Sequence, residues 1–289
     1  MAATPSVDRP ASTEQSLDCN GKPLDLSHPR IMGVLNITPD SFSDGGDFFA
    51  PDAAVQRALQ MQAEGAAIID IGGESTRPGA VEVSAEEEIR RVVPVIERLA
   101  DCLAVPVSID TRKAQVMRAA VAAGAGLIND VNALRSPAAL QVAADSGVPV
   151  CLMHMQGEPR NMQAAPYYDD VVTEVREFLK QRVLDCAQAG IPRDRLLLDP
   201  GFGFGKTLTH NLQLLARLNE FRELELPLLV GLSRKSMIGT LLGLEVHARL
   251  PASLALAVLA AERGASIIRT HDVAATWQAI QMSVAVNTP

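Results

Sequence analysis

A chain of 289 residues, 47% of them hydrophobic and 21% charged, is long enough for one large core and too apolar for disorder. A formal net charge of −8, with no run of Lys or Arg, argues against nucleic acid as the main partner, and 3% aromatic content leaves no base-stacking platform. The first sixteen residues are polar and lack the apolar stretch of a secretion signal. No segment reaches membrane-spanning length without a charge or a Gly/Pro break, so no membrane partner is expected. Residues 1–20 are therefore expected to be a flexible tail ahead of a domain over 21–289.

An apolar run at 30–36 predicts the first strand, which ends at Asn36. The polar loop beyond it carries Asp40, Phe42 and Asp44 and closes on Gly45-Gly46. It is poor at packing and suited to closing over a polar ligand or a metal ion. A helix near 52–64 follows, then a strand at 67–72 that ends in Asp70-Ile-Gly-Gly-Glu-Ser-Thr-Arg-Pro-Gly, the start of a second loop. Ser84 caps the helix over 84–103, with Glu87 placed for a capping box. The strand at 105–109 leads into Asp110-Thr-Arg, the helix at 112–123 follows, and the strand at 125–129 ends in Asn129-Asp130. Ser136-Pro137 opens a helix to 146, and the strand at 148–153 reaches Met153-His154-Met155. After a helix at 168–189, the strand at 195–199 ends in Asp199-Pro-Gly-Phe-Gly-Phe-Gly-Lys206. A helix at 209–219 leads to a strand at 227–232 and Ser233-Arg-Lys235; helices at 235–243 and 247–263 lead to the last strand, 266–269. Arg269-Thr-His-Asp272 and a helix at 272–285 finish the chain. Gly65, Gly124, Gly147, Gly190 and Gly264 each follow a helix, as left-handed C-terminal caps do.

Strands alternating with helices imply a parallel sheet, and eight such units in this length fit a single (β/α)8 TIM barrel; a doubly wound open sheet is the alternative. A closed barrel gathers every strand end into one ring. That ring would hold Asn36, Asp110, Asn129, His154, Asp199, Ser233, Lys235, Arg269 and His271. Each has a plainer reading. Asp110 and Asp272 suit helix caps, Asn129-Asp130 suits a turn, His154 between methionines suits the core, and Glu74 with Arg77 suits an ordinary loop ion pair. A polar residue at nearly every strand end weighs against independent accidents.

Generic nucleotide motifs fail. Gly201-Phe-Gly-Phe-Gly-Lys-Thr has the wrong spacing for a Walker loop and is not the dinucleotide fingerprint; HExxH and GxSxG are absent. Cys19, Cys102, Cys151 and Cys186 have no metal or redox spacing; Cys102 and Cys186 in helical patterns and Cys151 in an apolar run read as buried thiols, consistent with a cytoplasmic location. Arg269 and His271 stand at the last strand end, where barrels often hold phosphate. Asn36 and Asp44 offer hard oxygen ligands for Mg²⁺. The ring suits a flat heterocycle rich in donors and acceptors that bears a diphosphate.

The segments Met32–Gly46, Asp70–Gly79, Ser108–Thr111, Ile128–Val131, Leu198–Lys206, Gly231–Ser236 and Arg269–Asp272, in this order, resemble the dihydropteroate synthase family of pterin-binding barrels across about residues 30–286. The resemblance implies condensation of 6-hydroxymethyl-7,8-dihydropterin diphosphate with 4-aminobenzoate, sulfonamide inhibition and a homodimer. It implies that Asp110, Asn129, Asp199 and Lys235 hold the pterin with Arg269 against its ring. It further implies that Asn36, Arg269 and His271, with Thr76 nearby, hold the diphosphate and its Mg²⁺, that Thr270 is a substrate-binding residue, and that Asn36 and Asp44 are the metal ligands. Phe42, Arg77, Pro78, Phe204 and Ser233 would shape the aminobenzoate pocket, and Asp110, Lys235, Arg269 and His271 would carry the chemistry. The alternatives are a methyltetrahydrofolate–corrinoid methyltransferase barrel, which needs no diphosphate site, and an inactive pterin-binding homologue.

Overall fold

The structure, a computed structural model, describes residues 16–37, 50–75, 82–158 and 162–287. Two strands, β1 (Ser16–Cys19) and β2 (Lys22–Asp25), form an antiparallel hairpin ahead of the barrel. The barrel strands are β3 (Arg30–Asn36), β4 (Ile68–Gly72), β5 (Val107–Asp110), β6 (Leu127–Asp130), β7 (Val150–Met153), β8 (Leu196–Asp199), β9 (Leu228–Gly231) and β10 (Ala265–Thr270). They run parallel and close with β10 beside β3, which excludes the open-sheet alternative. Between them lie α1 (Ala50–Ala63), α2 (Ala85–Cys102), α3 (Ala114–Ala122), α4 (Pro137–Ser146), α5 (Val171–Gln188), α6 (Leu208–Ala216), α7 (Ser236–Leu242) and α8 (Leu250–Glu262). The last helix, α9 (Val273–Asn287), packs against α8.

Strand periodicity explains both faces of the barrel. Alternate residues point outward, and Ile31, Leu35, Ile69, Ile71, Ile109 and Ile128 join the helices in one large apolar cluster. The intervening residues point inward. At the strand starts these are Met32, Ile68, Leu127, Cys151, Leu197, Leu229 and Ile267, a second apolar cluster. Two residues further along the same inward rows, the side chains become Asp70, Asn129, Asp199 and Arg269. One end of the barrel interior is thus apolar and the other polar.

The apolar end would be open to water if nothing covered it. The hairpin does so: Leu17, Cys19, Leu24 and Leu26 join the inward apolar cluster. Its turn is Asn20-Gly21, with φ of 58° and 79°, the pattern of a two-residue turn with both central residues left-handed. Lys22 Nζ donates to the carbonyls of Ala100 (2.9 Å) and Leu103 (2.8 Å), at the helix end where α2 leaves carbonyls without partners. This corrects the expectation for residues 1–20: from Ser16 onward the chain is a strand that seals the core. The alternation Leu17, Cys19, then Asn-Gly, then Leu24 and Leu26 was readable as a hairpin. Residues 1–15 lie outside the described residues.

The helix signals hold with adjustments. Ser84 Oγ accepts from Glu87 N (3.2 Å), but the Glu87 carboxylate turns to Arg90 and Arg91 rather than completing a box. Ser136 makes no side-chain cap, and Pro137 stands in the first turn as expected. Asp170 caps α5. Cys151 and Cys186 are buried, but Cys102 is exposed because α2 ends there and Leu103 takes the core position.

Gly126 shows how closely the seal fits: a Cβ there would stand 2.3 Å from the Cys19 carbonyl oxygen. We expect Gly126→Ala to push the hairpin off its seat and lower the urea midpoint, with helix content retained. Leu17→Ala should cost about 2–4 kcal/mol in the same experiment, the range for a buried Leu. An unchanged midpoint in both would mean that the hairpin contributes no stability.

Candidate active site

The ladder sets the polar mouth. Asn36 pairs with Gly72, Gly72 with Asp110, and Asp110 with Asn129, so four strand ends stand level. A Cβ on Gly72 would lie 3.7 Å from Asn36 Oδ1 and 3.8 Å from Asp110 Cβ, which places these two side chains either side of a gap that glycine leaves open.

The floor of the mouth is a charge cluster. Arg269 donates from Nε to Asp70 Oδ2 (2.6 Å) and from Nη2 to Asp110 Oδ2 (2.8 Å). Asn129 Nδ2 donates to the same Asp70 oxygen at 3.1 Å. One guanidinium thus bridges two carboxylates from neighbouring strands. The second oxygens, Asp70 Oδ1 and Asp110 Oδ1, and Ser108 Oγ are buried with no hydrogen-bond partner. Buried acceptors of this kind are costly unless a donor arrives from a ligand. Burial pushes the Asp110 carboxyl up to about 7, against the pull of Arg269 and with the Asp70 charge adding to the rise. Burial also lowers the Arg269 guanidinium pKa, but Asp70 and Asp110 outweigh it and hold the group charged.

Above the floor, burial lowers the Lys235 ammonium to about 8, with Arg269 adding to the fall and Asp199 opposing it. Lys235 Nζ lies 4.3 Å from the centre of the Phe204 ring, a cation–π contact. Phe204 closes an apolar wall made by Val131, Met153, Met155 and Met162. Asp199, nearly buried, accepts from Gly201 N at 2.7 Å. His271 Nδ1 lies 3.1 Å from Ser233 Oγ, and burial with the nearby Arg269 lowers its pKa to about 4. The neutral ring can therefore present its other nitrogen to the mouth. Beside it Arg234 Nε donates to Asp272 at 2.9 Å, fastening the two strand-end loops together.

The structure thus brings Asn36, Asp110, Asn129, Asp199, Phe204, Ser233, Lys235, Arg269 and His271 to one mouth. Thr270 is a correction. Its parity sends it outward, where Oγ1 meets Thr276 Oγ1 (3.0 Å) and accepts from Asp272 N, so its side chain organises the start of α9. His154 is a core histidine, bonded to Lys206 and edge-on to Phe178. Glu74 pairs with Lys113 (2.8 Å), which also holds buried Glu88. Phe42, Asp44, Thr76, Arg77 and Pro78 lie outside the described residues. Asp70 was missed as a site residue, although a carboxylate inside Ile68-Ile-Asp-Ile71 was itself a signal.

Asp70 touches Arg269 and Asn129 through one oxygen, so Asp70→Asn should leave both less well aimed. We expect turnover to fall about 10- to 100-fold, the scale of a small misplacement, with the melting temperature little changed. Wild-type turnover in that variant would remove Asp70 from the machinery.

A (β/α)8 barrel with cations and unsatisfied acceptors at the C-terminal ends of its strands has the layout of an enzyme site for a polar, charged ligand. A family model described as pterin binding enzyme matches residues 32–271. The chain is 56% identical over 266 residues to dihydropteroate synthase of Escherichia coli (strain K12), covering 92% of this chain and 94% of that protein. A solved Xanthomonas albilineans dihydropteroate synthase with 4-aminobenzoic acid superposes with a TM-score of 0.91 at 55% identity, covering 96% of this chain and all of that one. A Yersinia pestis dihydropteroate synthase in complex with a sulfonamide drug gives 0.91 at 55% identity, over 95% of this chain and all of that one. The chain belongs to the pterin-binding enzyme family, in its dihydropteroate synthase branch.

Proposed function

We infer that the chain is a transferase that condenses 6-hydroxymethyl-7,8-dihydropterin diphosphate with 4-aminobenzoate, giving 7,8-dihydropteroate and diphosphate. The observation that carries this reading is the mouth itself. At the C-terminal ends of the strands, Arg269 bridges Asp70 and Asp110, Asn129 bonds Asp70, and Lys235 stands within the electrostatic reach of Arg269, Asp199 and Asp110. The relatives that share this barrel at more than half identity carry the same activity in their names.

In this reading the free oxygen of Asp110, with Asn129 and Asp199, meets the donor edge of the pterin, and Lys235 meets its acceptors. Arg269 lies against the ring and, with His271, faces the diphosphate. As the C–O bond to diphosphate breaks, positive charge develops on the pterin methylene. Asp110, held in place by Arg269, stabilises it from a dry site. The arylamine nitrogen then attacks that carbon and loses its proton. The apolar wall of Phe204 and the methionines receives the aryl ring. Sulfonamides, aryl mimics of 4-aminobenzoate, would occupy the same place, and we assign Phe42, Arg77 and Pro78 to it from the family resemblance.

We propose Mg²⁺ as the cofactor. Among the described residues no group of three or more His, Cys, Asp or Glu side chains could hold a metal ion unaided. The ion would be held by the diphosphate together with Asn36 and Asp44. When bound, it would supply charge neutralisation for the leaving diphosphate. A homodimer is proposed from exposed Leu241, Leu242, Val246, Trp277, Met282 and Val286, on or beside α7 and α9. A cytoplasmic location is supported by four free cysteines; among the described residues no helix is long and apolar enough to cross a membrane.

The direct test is to mix the pure protein with the pterin diphosphate, 4-aminobenzoate and Mg²⁺ and to look for dihydropteroate by chromatography. Pterin binding without product would favour an inactive homologue, and methyl transfer to a corrinoid protein would favour the methyltransferase reading. Chelation with EDTA should abolish product, and added Mg²⁺ should restore it; full activity in EDTA would remove the metal from the reaction.

Asp110 adds a pH dependence. Its carboxyl is raised from 3.8 to about 7, so the free enzyme loses the ionised form as pH falls below 7, and kcat/KM should fall with it. Stability runs the other way: the contribution is full below pH 4 and is lost as pH rises through 7. Asp110→Asn should lower kcat more than it weakens binding, erase the acid limb and flatten that stability slope. A rise in KM alone would leave Asp110 a binding residue only.

A further inference from the structure

The reaction just described makes no use of Lys206, yet it is among the most deeply buried cations in the molecule, with 3% of its surface exposed. Its ammonium has three protons, and each has a partner. Nζ donates to the carbonyls of Gly201 (2.9 Å) and Phe204 (3.0 Å) and to His154 Nδ1 (2.9 Å). The His154 carbonyl lies at 3.5 Å. The segment 201–206 thus coils back on its own last side chain, as a loop coils round a bound cation.

The packing around this turn leaves no slack. A Cβ on Gly201 would stand 1.9 Å from the His154 carbonyl oxygen, and Gly201 has a φ of 71° that disfavours a side chain in any case. A Cβ on Gly205 would meet the Gln156 carbonyl at 2.5 Å, and Tyr168 Oη donates to the Gly205 carbonyl at 2.9 Å. The turn therefore rests directly on the backbone that follows β7. Gly203 N donates to Asn211 Oδ1 (2.7 Å), and Asn211 Nδ2 returns a bond to the Lys206 carbonyl (3.3 Å). A side chain at 206 without the ammonium would leave the buried His154 Nδ1 and the part-buried Phe204 carbonyl without this donor, while the Gly201 carbonyl would keep its bond from Phe204 N (3.1 Å).

What this turn carries decides its function. Phe204 faces Lys235, whose Cδ would lie 3.3 Å from a Cβ on Gly203. At the other end, Gly201 N holds Asp199. We propose that Lys206 is a positioning residue: its ammonium is the internal cation around which residues 201–206 fold, and that turn sets the place of Phe204 in the aminobenzoate wall. The functional half of this proposal rests on the dihydropteroate synthase reading; the structural half does not. Burial lowers the Lys206 pKa, partly opposed by Asp199, and the three acceptors within 3.0 Å of Nζ favour the protonated form. His154 is held far below its usual range, to about 2, by burial and by Lys206 itself, so its ring is neutral and free to accept.

Lys206→Met keeps the length and apolar stem and removes the ammonium. In the full-length protein we expect amides of 201–206 to exchange hydrogen at least tenfold faster, while the barrel strands exchange as before. We expect the KM for 4-aminobenzoate to rise about tenfold, with the KM for the pterin diphosphate within about threefold. If that variant fails to fold, His154→Leu removes one of the ammonium's acceptors, and the same split should appear in smaller measure. Wild-type exchange across 201–206 overturns the proposal whatever the enzyme does. Faster exchange with both KM values unchanged, or raised in step, overturns the functional half. The wild-type assay for dihydropteroate, run alongside, reports separately on the activity itself.

Discussion

The arrangement on which the rest of this mouth depends is a single guanidinium shared by two carboxylates. Arg269 reaches across the barrel interior to Asp70 and Asp110, and Asp70 also takes Asn129. Burying three charges is expensive, and such clusters seldom add net stability. What they add here is aim. Each group holds another in one orientation, so that the free oxygens of Asp70 and Asp110 and the face of Arg269 are fixed before any ligand arrives. Electrostatic catalysis rests on that kind of preorganisation, because the dipoles need not turn when charge develops.

The barrel can tolerate such a cluster because the rest of its interior is apolar. The inward rows begin with Met32, Ile68, Leu127, Leu197 and Ile267, and the Ser16–Asp25 hairpin seals them from below. Water is thus kept from one end and admitted at the other. The same division explains the raised carboxyl of Asp110 and the lowered ammonium of Lys235, since both stand where the apolar interior meets the polar mouth. The two halves of the barrel therefore act on one another: the seal below makes the charges above strong.

The loops divide in the same way. The turn after β8 is held by backbone contact with the residues that directly follow β7 and by the Lys206 ammonium, and it carries Phe204 and braces Asp199 at the end of β8. Those after β9 and β10 are fastened by Ser233 with His271 and by Arg234 with Asp272.

The sequence by itself determined eight alternating β/α units on a parallel sheet, because strand and helix periodicities are local properties, and it favoured a closed barrel; the pairing of β10 with β3 decided closure against the open sheet. It also placed Asn36, Asp110, Asn129, Asp199, Lys235, Arg269 and His271 at strand ends, since a strand's end is marked by its own loss of apolar residues. The hairpin at Ser16–Asp25 was legible from its alternation and Asn20-Gly21 but was outweighed by the polar composition of the tail around it. Only the tertiary structure decided which strand-end groups meet. Asp70 and Arg269 are 199 residues apart and touch because β10 closes beside β3 and β4 stands next to it. It likewise turned Thr270 outward by strand parity and wrapped the Gly201–Lys206 turn on its own ammonium. Such contacts depend on ring closure and on which carbonyls are left without partners, and neither is written in any local stretch of the chain.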